Sequence, residues 1–374
     1  FSIFFPQWPF VCGLASITMM RGVAHLVDRS ILRVAGPGST KFLQGLCTQD
    51  MRVLSDQKAA PAAFLSAKGR VLCDAIVVCK SADDYLLDCH SAVSKSLMRL
   101  LIRHRLREPL KIEDVSASHA ALALLPDEAV CSEPPAEPPS DADKAAAAEV
   151  PEDFFPDPRF AALGQRGILP LDAATPLLAG GGVALSTYHF WRLCCAVPEG
   201  PTDLQPDQML PLYANLDLLN FVSFKKGCYM GQELTMRTKH RGAVRRRFFT
   251  VFSIKQQART ALDSMSLIPE EPLPPGVLSE ISGAALPESA APGKGDNSRA
   301  VLGRTGEDGD WKTVGELHST SRNVGLCMLR SNHSLNWASD FKESPLPVGT
   351  QLSIGDECLA LRAPPYAFLS ELSE

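Results

Sequence analysis

The stretch best equipped for chemistry is residues 211–247, PLYANLDLLNFVSFKKGCYMGQELTMRTKHRGAVRRR, where the thiol of Cys228 follows two lysines and sits between two glycines. Glycine at Gly227 and Gly231 permits positive φ or close backbone approach, so a tight loop is expected to hold Cys228 at its apex while Gln232 and Glu233 open a helix. Lys225 and Lys226, with the nearby helix start, are expected to favour the thiolate, the form that ligates soft metals and does thiol chemistry. A lone cysteine also serves as a small buried hydrophobe, and the residue alone leaves both roles open.

Between Lys225 and Arg247 stand eight Lys/Arg side chains and His240 against one acid, Glu233. Such a run offers an anion-binding wall for a polyglutamate tail or an acidic partner face; it also reads as a solvated helix end and strand. Aromatic side chains do not interleave with the charges, which argues against base stacking on RNA. Upstream, Asn215-Leu216-Asp217 carries an amide and a carboxylate suited to the polar edge of a pterin-like ring, or equally to a loop or cap. Lys68-Gly69-Arg70 reads as a hairpin turn, and Cys194-Cys195 as packing on a helix bearing Trp191.

The elements that must position these groups follow from periodicity. AHLVDRSILRVAG alternates as a strand, GPGS turns, and TKFLQGLCTQD forms a short helix with Phe42, Leu43 and Leu46 on one face. APAAFLSAKGRVLCDAIVVCK and DDYLLDCH read as two strand-like stretches, and residues 92–107 as a helix with Leu97, Leu100 and Leu101 inward, ended by Pro109. PRFAALGQRGILP is a strand, STYHFWRLCCAVPEG a short aromatic helix, and FVSF a strand running into the cysteine loop. WKTVGELHST, VGLCMLR and TQLSIGDECLALRA suggest a closing antiparallel β-barrel. The fold class is α+β; the absence of GxGxxG and of a βαβ rhythm excludes a dinucleotide fold.

At 374 residues and 45% hydrophobic content the chain builds more than one core. We divide it into an amino-terminal extension or targeting remnant such as a transit peptide (1–21), a first α+β domain (22–125), a low-complexity insertion (126–153), the remainder of the α+β region with the cysteine motif (154–247), and a carboxy-terminal barrel (248–374) with a polar insertion at about 266–300. The net charge of −5 does not favour nucleic acid or an anionic membrane globally, so any basic site is local. Eleven scattered cysteines without a CxxC pair indicate free thiols in a reducing compartment, and the histidines show no metal-cage spacing. The apolar start contains Trp8 and two prolines and is too interrupted for a membrane span.

Taken together, Lys226 to Glu233 (KGCYMGQE), Arg237, and Gly242 with Arg246 resemble the signature of the YgfZ family, as do GPGSTKFLQGLCTQD, LSAKGRVLCDAIV, the Tyr188, Arg192 and Pro198-Glu199-Gly200 positions, PLYANLD, VGELHST and VGLCML. That family is similar to the aminomethyltransferase of glycine cleavage, which implies three domains in a ring around a central, folate-sized channel. The resemblance implies assembly of iron–sulfur clusters in the mitochondrial matrix, supporting [4Fe–4S] protein maturation. Cys228 would be the metal ligand of a [2Fe–2S] cluster shared with an A-type scaffold protein, in a monomer or heterodimer. It further implies that Lys226, Gly227, Gly231, Gln232, Glu233 and Arg237 support the cysteine, and that tetrahydrofolate sits near Asn215 and Asp217. A folate-dependent aminomethyl- or methyltransferase is the competing reading. The acidic folate-facing motif of the true transferases is incomplete here, with Asn215-Leu216-Asp217 its nearest relic.

Overall fold

The structure is a computed structural model and describes residues 22–126, 153–179, 182–254, 285–286, 300–305, 309–333, 335, 345–346, 350–355 and 357–366. The amino-terminal extension and nearly all of both insertions lie outside the described residues.

The amino-terminal half stacks two antiparallel sheets. One has five strands in the order β3 (Ala59–Leu65), β4 (Val71–Ser81), β5 (Asp84–His90), β2 (Arg29–Ala35) and β6 (Lys111–Asp114). The other runs β1 (Gly22–His25), β7 (His119–Leu125), β9 (Gln165–Pro170) and β8 (Phe154–Pro156). Helices α1 (Ser39–Leu46) and α2 (Ser91–Arg105) cover the first sheet, whose Leu32, Val34, Val77 and Leu87 pack against Leu43, Leu46, Leu97 and Leu101. The alternate residues Ile31, Ile76, Val78 and Leu86 meet Ala121, Ala123 and Ile168 of the second sheet. Both faces of β4 are therefore buried, which is why VLCDAIVV reads as a continuous apolar run rather than an alternation. Helix α3 (Leu171–Ala179) packs on the far face of the second sheet through Ala174, and α4 (Leu185–Cys194) contributes Tyr188 to the inter-sheet core.

The stretch expected to be one strand, AHLVDRSILRVAG, splits at Leu26–Asp28 because Leu26 N–H still bonds Ala121 O of the second sheet while Arg29 starts pairing with His90 of the first. Likewise the stretch at 59–80 is a hairpin of β3 and β4 around Gly69, whose φ of +76° is the left-handed conformation glycine accepts. α2 ends before Pro109 as its sequence requires.

After a turn of helix, α5 (Gly200–Asp203), residues 211–231 form successive turns without helix or strand. FVSF is thus not a strand. Phe221 and Val222 wedge into the central core instead, and the backbone is satisfied locally: Phe221 N–H donates to Leu216 O and Ser223 N–H to Thr48 O. Helix α6 (Gln232–Arg241) follows, then β10 (Arg246–Ile254) enters a closed six-stranded barrel with β11 (Ala300–Thr305), β12 (Lys312–Ser321), β13 (Val324–Arg330), β14 (Thr350–Ile354) and β15 (Glu357–Arg362). Period-2 alternation divides β10: Phe249 and Val251 fill the barrel, while Phe248 and Phe252 join Leu216 and Phe221 in the core beneath the cysteine segment. Among the described residues, no helix is long and apolar enough to cross a membrane.

Candidate functional site around Cys228

The cysteine loop is built between three anchors. The first is the carboxy-terminal end of α1, where unsatisfied carbonyls collect. Lys226 Nζ donates to Gln44 O at 2.7 Å, Cys47 O at 2.8 Å and Gln49 O at 2.6 Å, using all three ammonium protons, and lies 5.0 Å from the centre of the Tyr229 ring. Met230 N–H adds a bond to Gly45 O. Burial holds the Lys226 ammonium below the ordinary lysine value.

The second anchor is the β3–β4 hairpin. Gly231 has φ +79° and precedes α6; a Cβ there would lie 2.4 Å from Ser66 O, 2.9 Å from Leu65 Cβ and 3.2 Å from Gly69 Cα. Gly69 returns the contact, since its own Cβ would meet Gly231 O at 2.9 Å. Glycine on glycine lets the loop backbone touch the hairpin backbone. Lys68-Gly69-Arg70 is thus more than a turn: it is the floor on which the helix start rests. The third anchor is internal, with Gln232 Oε1 accepting from Tyr229 N–H at 3.2 Å and Tyr229 buried, its phenol pushed up to about 12 chiefly by that burial.

What these anchors leave outside is the apex. Cys228 and Gly227 are exposed, and of the nine described cysteines only Cys228 is. Burial makes four of the others poor nucleophiles: it pushes the thiols of Cys47, Cys195 and Cys327 up, and that of Cys194 to about 12. Cys194 and Cys195 pack in the central core, as their position beside Trp191 suggested.

Three features differ from the sequence expectation. Gly227 has no positive φ and its Cβ would meet open space, so only Gly231 is dictated by geometry. Lys226 does not sit as a counter-charge to the thiol, because carbonyls at a helix end outcompete it for the ammonium. Nor is the basic run one wall. Arg247 is fully buried in a two-pronged pair with Asp217, and Lys239 approaches the same carboxylate at 3.7 Å. The exposed remainder is Lys225, Arg237, Arg241, Arg245 and Arg246, with Arg246 directly opposite Arg330 across β10 and β13. Glu233 and Arg237 are exposed one turn apart on α6, Glu233 in the first turn where the helix dipole favours an acid.

Asn215 and Asp217 are committed to architecture. Asn215, at φ +60° and fully buried, donates from Nδ2 to Phe248 O (2.9 Å) and Tyr366 Oη (2.8 Å) and accepts from Phe248 N–H (3.3 Å), pinning the turns to the barrel. Asp217 neutralises Arg247, whose remaining protons go to Leu212 O and Leu335 O. The polar edges assigned to a pterin ring are thereby filled.

Sequence reasoning missed a buried polar assembly between the two sheets. Arg29 bonds Asp88 at 2.6 Å, Arg166 bonds Asp88 at 2.7 Å, Arg159 bonds Asp157 at 2.7 Å and also Glu199, and Arg192 bonds Asp203 at 2.7 Å. Tyr188 Oη donates to Glu199 at 2.6 Å. Burial would raise the Glu199 carboxyl, but Arg29, Arg159, Arg166 and Arg192 outweigh it and hold the group well below the usual carboxylate range. The available signal was a lone acid inside each apolar strand: Asp74 in VLCDAIVV and Asp88 in YLLDCH. At its rim Asp28, His189 and Glu199 converge as potential metal ligands. Arginines around Glu199 make this a poor seat for a cation, and His189 Nδ1 already accepts from Arg192 Nε at 3.1 Å while Nε2 faces Asp28 at 3.2 Å. Cys228 belongs to no such group among the described residues.

Comparison with known proteins identifies the family and the fold. The family described as the GCVT N-terminal domain matches residues 12–128. The chain is 31% identical over 308 residues to the mitochondrial iron–sulfur cluster assembly factor IBA57 homolog of Coccidioides immitis, covering 77% of this chain and 70% of that protein. It is 35% identical over 260 residues to mitochondrial IBA57 of Mus musculus, covering 64% and 69%. The glycine cleavage aminomethyltransferase T of Bartonella henselae superimposes with a TM-score of 0.58 at 14% identity, covering 94% of this chain and 88% of that one, which shows a shared fold. The chain therefore belongs to the IBA57 family of mitochondrial iron–sulfur cluster assembly factors, built on the aminomethyltransferase fold.

Proposed function

We propose that this protein is a mitochondrial iron–sulfur cluster assembly factor that contributes Cys228 as one thiolate to a [2Fe–2S] cluster, the remaining ligands coming from an A-type scaffold partner. The observation that carries this reading is the exposure of one thiol on a rigidly anchored loop, while every other described cysteine is at least partly covered. A [2Fe–2S] cluster takes about four protein ligands, so one cysteine without neighbouring ligand groups fits a site completed by another chain. The cluster is cargo: this chain's part is to hold one sulfur at fixed position, and the exposed Lys225, Arg237 and Arg241 supply charge that suits an acidic partner face.

Folate-dependent transfer is supported by fold likeness alone, and Asp217, the acid it would use, is occupied by Arg247 and Lys239. Alkylation tests the main reading: N-ethylmaleimide should modify Cys228 rapidly in the free protein and slowly once a cluster is assembled with the partner. Equal rates in both states would remove Cys228 from the cluster.

A further inference from the structure

The outer face of α2 has no role in the site above. Its inner face is Val93, Leu97 and Leu101; on the opposite side Lys95, Arg99, Ile102, Arg103 and Leu106 are all exposed. At 100° per residue these five fall within about a 100° arc and run some 17 Å along the helix. Residues 91–110 hold five Lys/Arg and one acid, Glu108, the reverse of the chain's net charge. Within this arc the apolar positions lie among the cations: Ile102 is 48% exposed and Leu106, the most exposed large hydrophobic side chain described, 84%.

Leu106 carries a second oddity. It caps α2 at φ 51° and ψ −113°, a conformation that glycine adopts freely and a leucine does not. A strained backbone that presents a large apolar side chain to water is stable only by virtue of its surroundings, and such outliers concentrate at binding surfaces.

We propose that this face of α2 is a peripheral docking surface for an anionic lipid bilayer. The pattern is that of an interfacial helix: apolar tips enter the headgroup boundary while long basic side chains beside them reach lipid phosphates. A convex helix edge with two projecting apolar tips suits a flat, deformable surface, and its excess of cations matches anionic headgroups. An acidic protein face would satisfy the cations but needs preformed pockets for both tips. The resulting attachment is reversible and salt-sensitive, independent of the Cys228 loop.

The test is co-sedimentation of the full chain with phosphatidylcholine vesicles, with or without about 30% phosphatidylglycerol, enough to give a negative surface. Binding is expected only to the anionic vesicles and should weaken as salt rises. Arg99→Gln and Arg103→Gln should each lower it about five-fold, the factor carried by one surface cation. Leu106→Gly, which relieves the backbone strain and so leaves the fold intact, should also weaken binding without loss of thermal stability; Cys228→Ser should bind as wild type. Equal binding to neutral vesicles, no binding at low salt, or insensitivity to the arginine changes would overturn the proposal. So would failure on vesicles coupled with arginine-dependent binding to polyglutamate, which would assign the face to an acidic protein.

Discussion

Exchanging glycine for alanine at the two ends of the cysteine loop separates what the geometry requires from what the motif merely contains. At Gly231 the substitution meets two obstacles. The left-handed φ of +79° costs a residue with a Cβ about 1–2 kcal/mol. The new methyl would also press on Ser66 O at 2.4 Å and Leu65 Cβ at 2.9 Å, where hairpin backbone rather than a movable side-chain end must yield, an overpacking worth about 1–3 kcal/mol. Together we expect Gly231→Ala to destabilise by about 3 kcal/mol, or roughly 6–12 °C in the melting of a unit of this size. Gly227→Ala meets open space at an ordinary φ, so its midpoint should stay within about 0.5 kcal/mol of wild type. Denaturant titration of both variants decides. Equal midpoints would refute the claim that glycine-on-glycine contact seats the loop, whereas a Gly231→Ala protein that also alkylates Cys228 faster would show the seat loosening.

Other perturbations probe the remaining anchors. Lys226→Met keeps the stem over Tyr229 but strips three carbonyls of a charged donor; a loss of about 2–4 kcal/mol is expected, with faster amide exchange at Cys47–Gln49, and unchanged exchange would place the anchor elsewhere. Glu199→Gln leaves the surrounding arginines short of an anion and should cost about 3–5 kcal/mol at neutral pH by chemical denaturation. Because the folded Glu199 carboxyl titrates well below its unfolded value, its contribution is present above about pH 4.5 and lost as pH falls through the folded value. Acid titration followed by circular dichroism should therefore show a shallower decline in the variant. Peptide mapping after brief alkylation of the native protein should find Cys228 modified ahead of Cys47, Cys194, Cys195 and Cys327; early modification of any of those four would contradict the burial described. Asp217→Asn should weaken the barrel junction by about 3 kcal/mol, measured by thermal melting, and an unaltered melting temperature would mean that Arg247 finds its neutralising partner elsewhere.

Much of this architecture was legible in local chemistry. Helix α2 announced itself through Leu97 and Leu101 and its stop at Pro109, and the barrel strands through short alternating segments. The loop–helix unit at Cys228 was legible from Gly231 and from Gln232 and Glu233 opening α6, whereas Gly227 turned out to carry no such demand. What misled was long-range competition. FVSF has strand composition, yet its backbone bonds are made by Leu216 and Thr48, contacts that residue types alone do not reveal. Lys226 looks like a counter-charge in sequence, but α1 ends close enough in space to claim it. Asp217 looked like a ligand contact until its pairing with Arg247, thirty residues on, placed it in the core. The buried network was unreadable as a network because its members come from separate strands, helices and loops: Arg29, Asp88 and Arg166 stand on β2, β5 and β9, Arg192 and Asp203 on α4 and α5, and Asp157, Arg159 and Glu199 on connecting loops, so that only Asp74 and Asp88 showed as acids in apolar runs.

We propose that this chain and an A-type scaffold complete a cluster between them through Cys228. Anaerobic reconstitution of the two proteins with iron and sulfide, followed by size-exclusion chromatography with visible absorption, measures it most directly. Wild type should elute as a coloured heterocomplex, and Cys228→Ala, whose truncated side chain is exposed and folds normally, should give colourless or separate peaks. Equal colour in a co-eluting Cys228→Ala complex would contradict the account and leave the cluster to ligands of the partner alone.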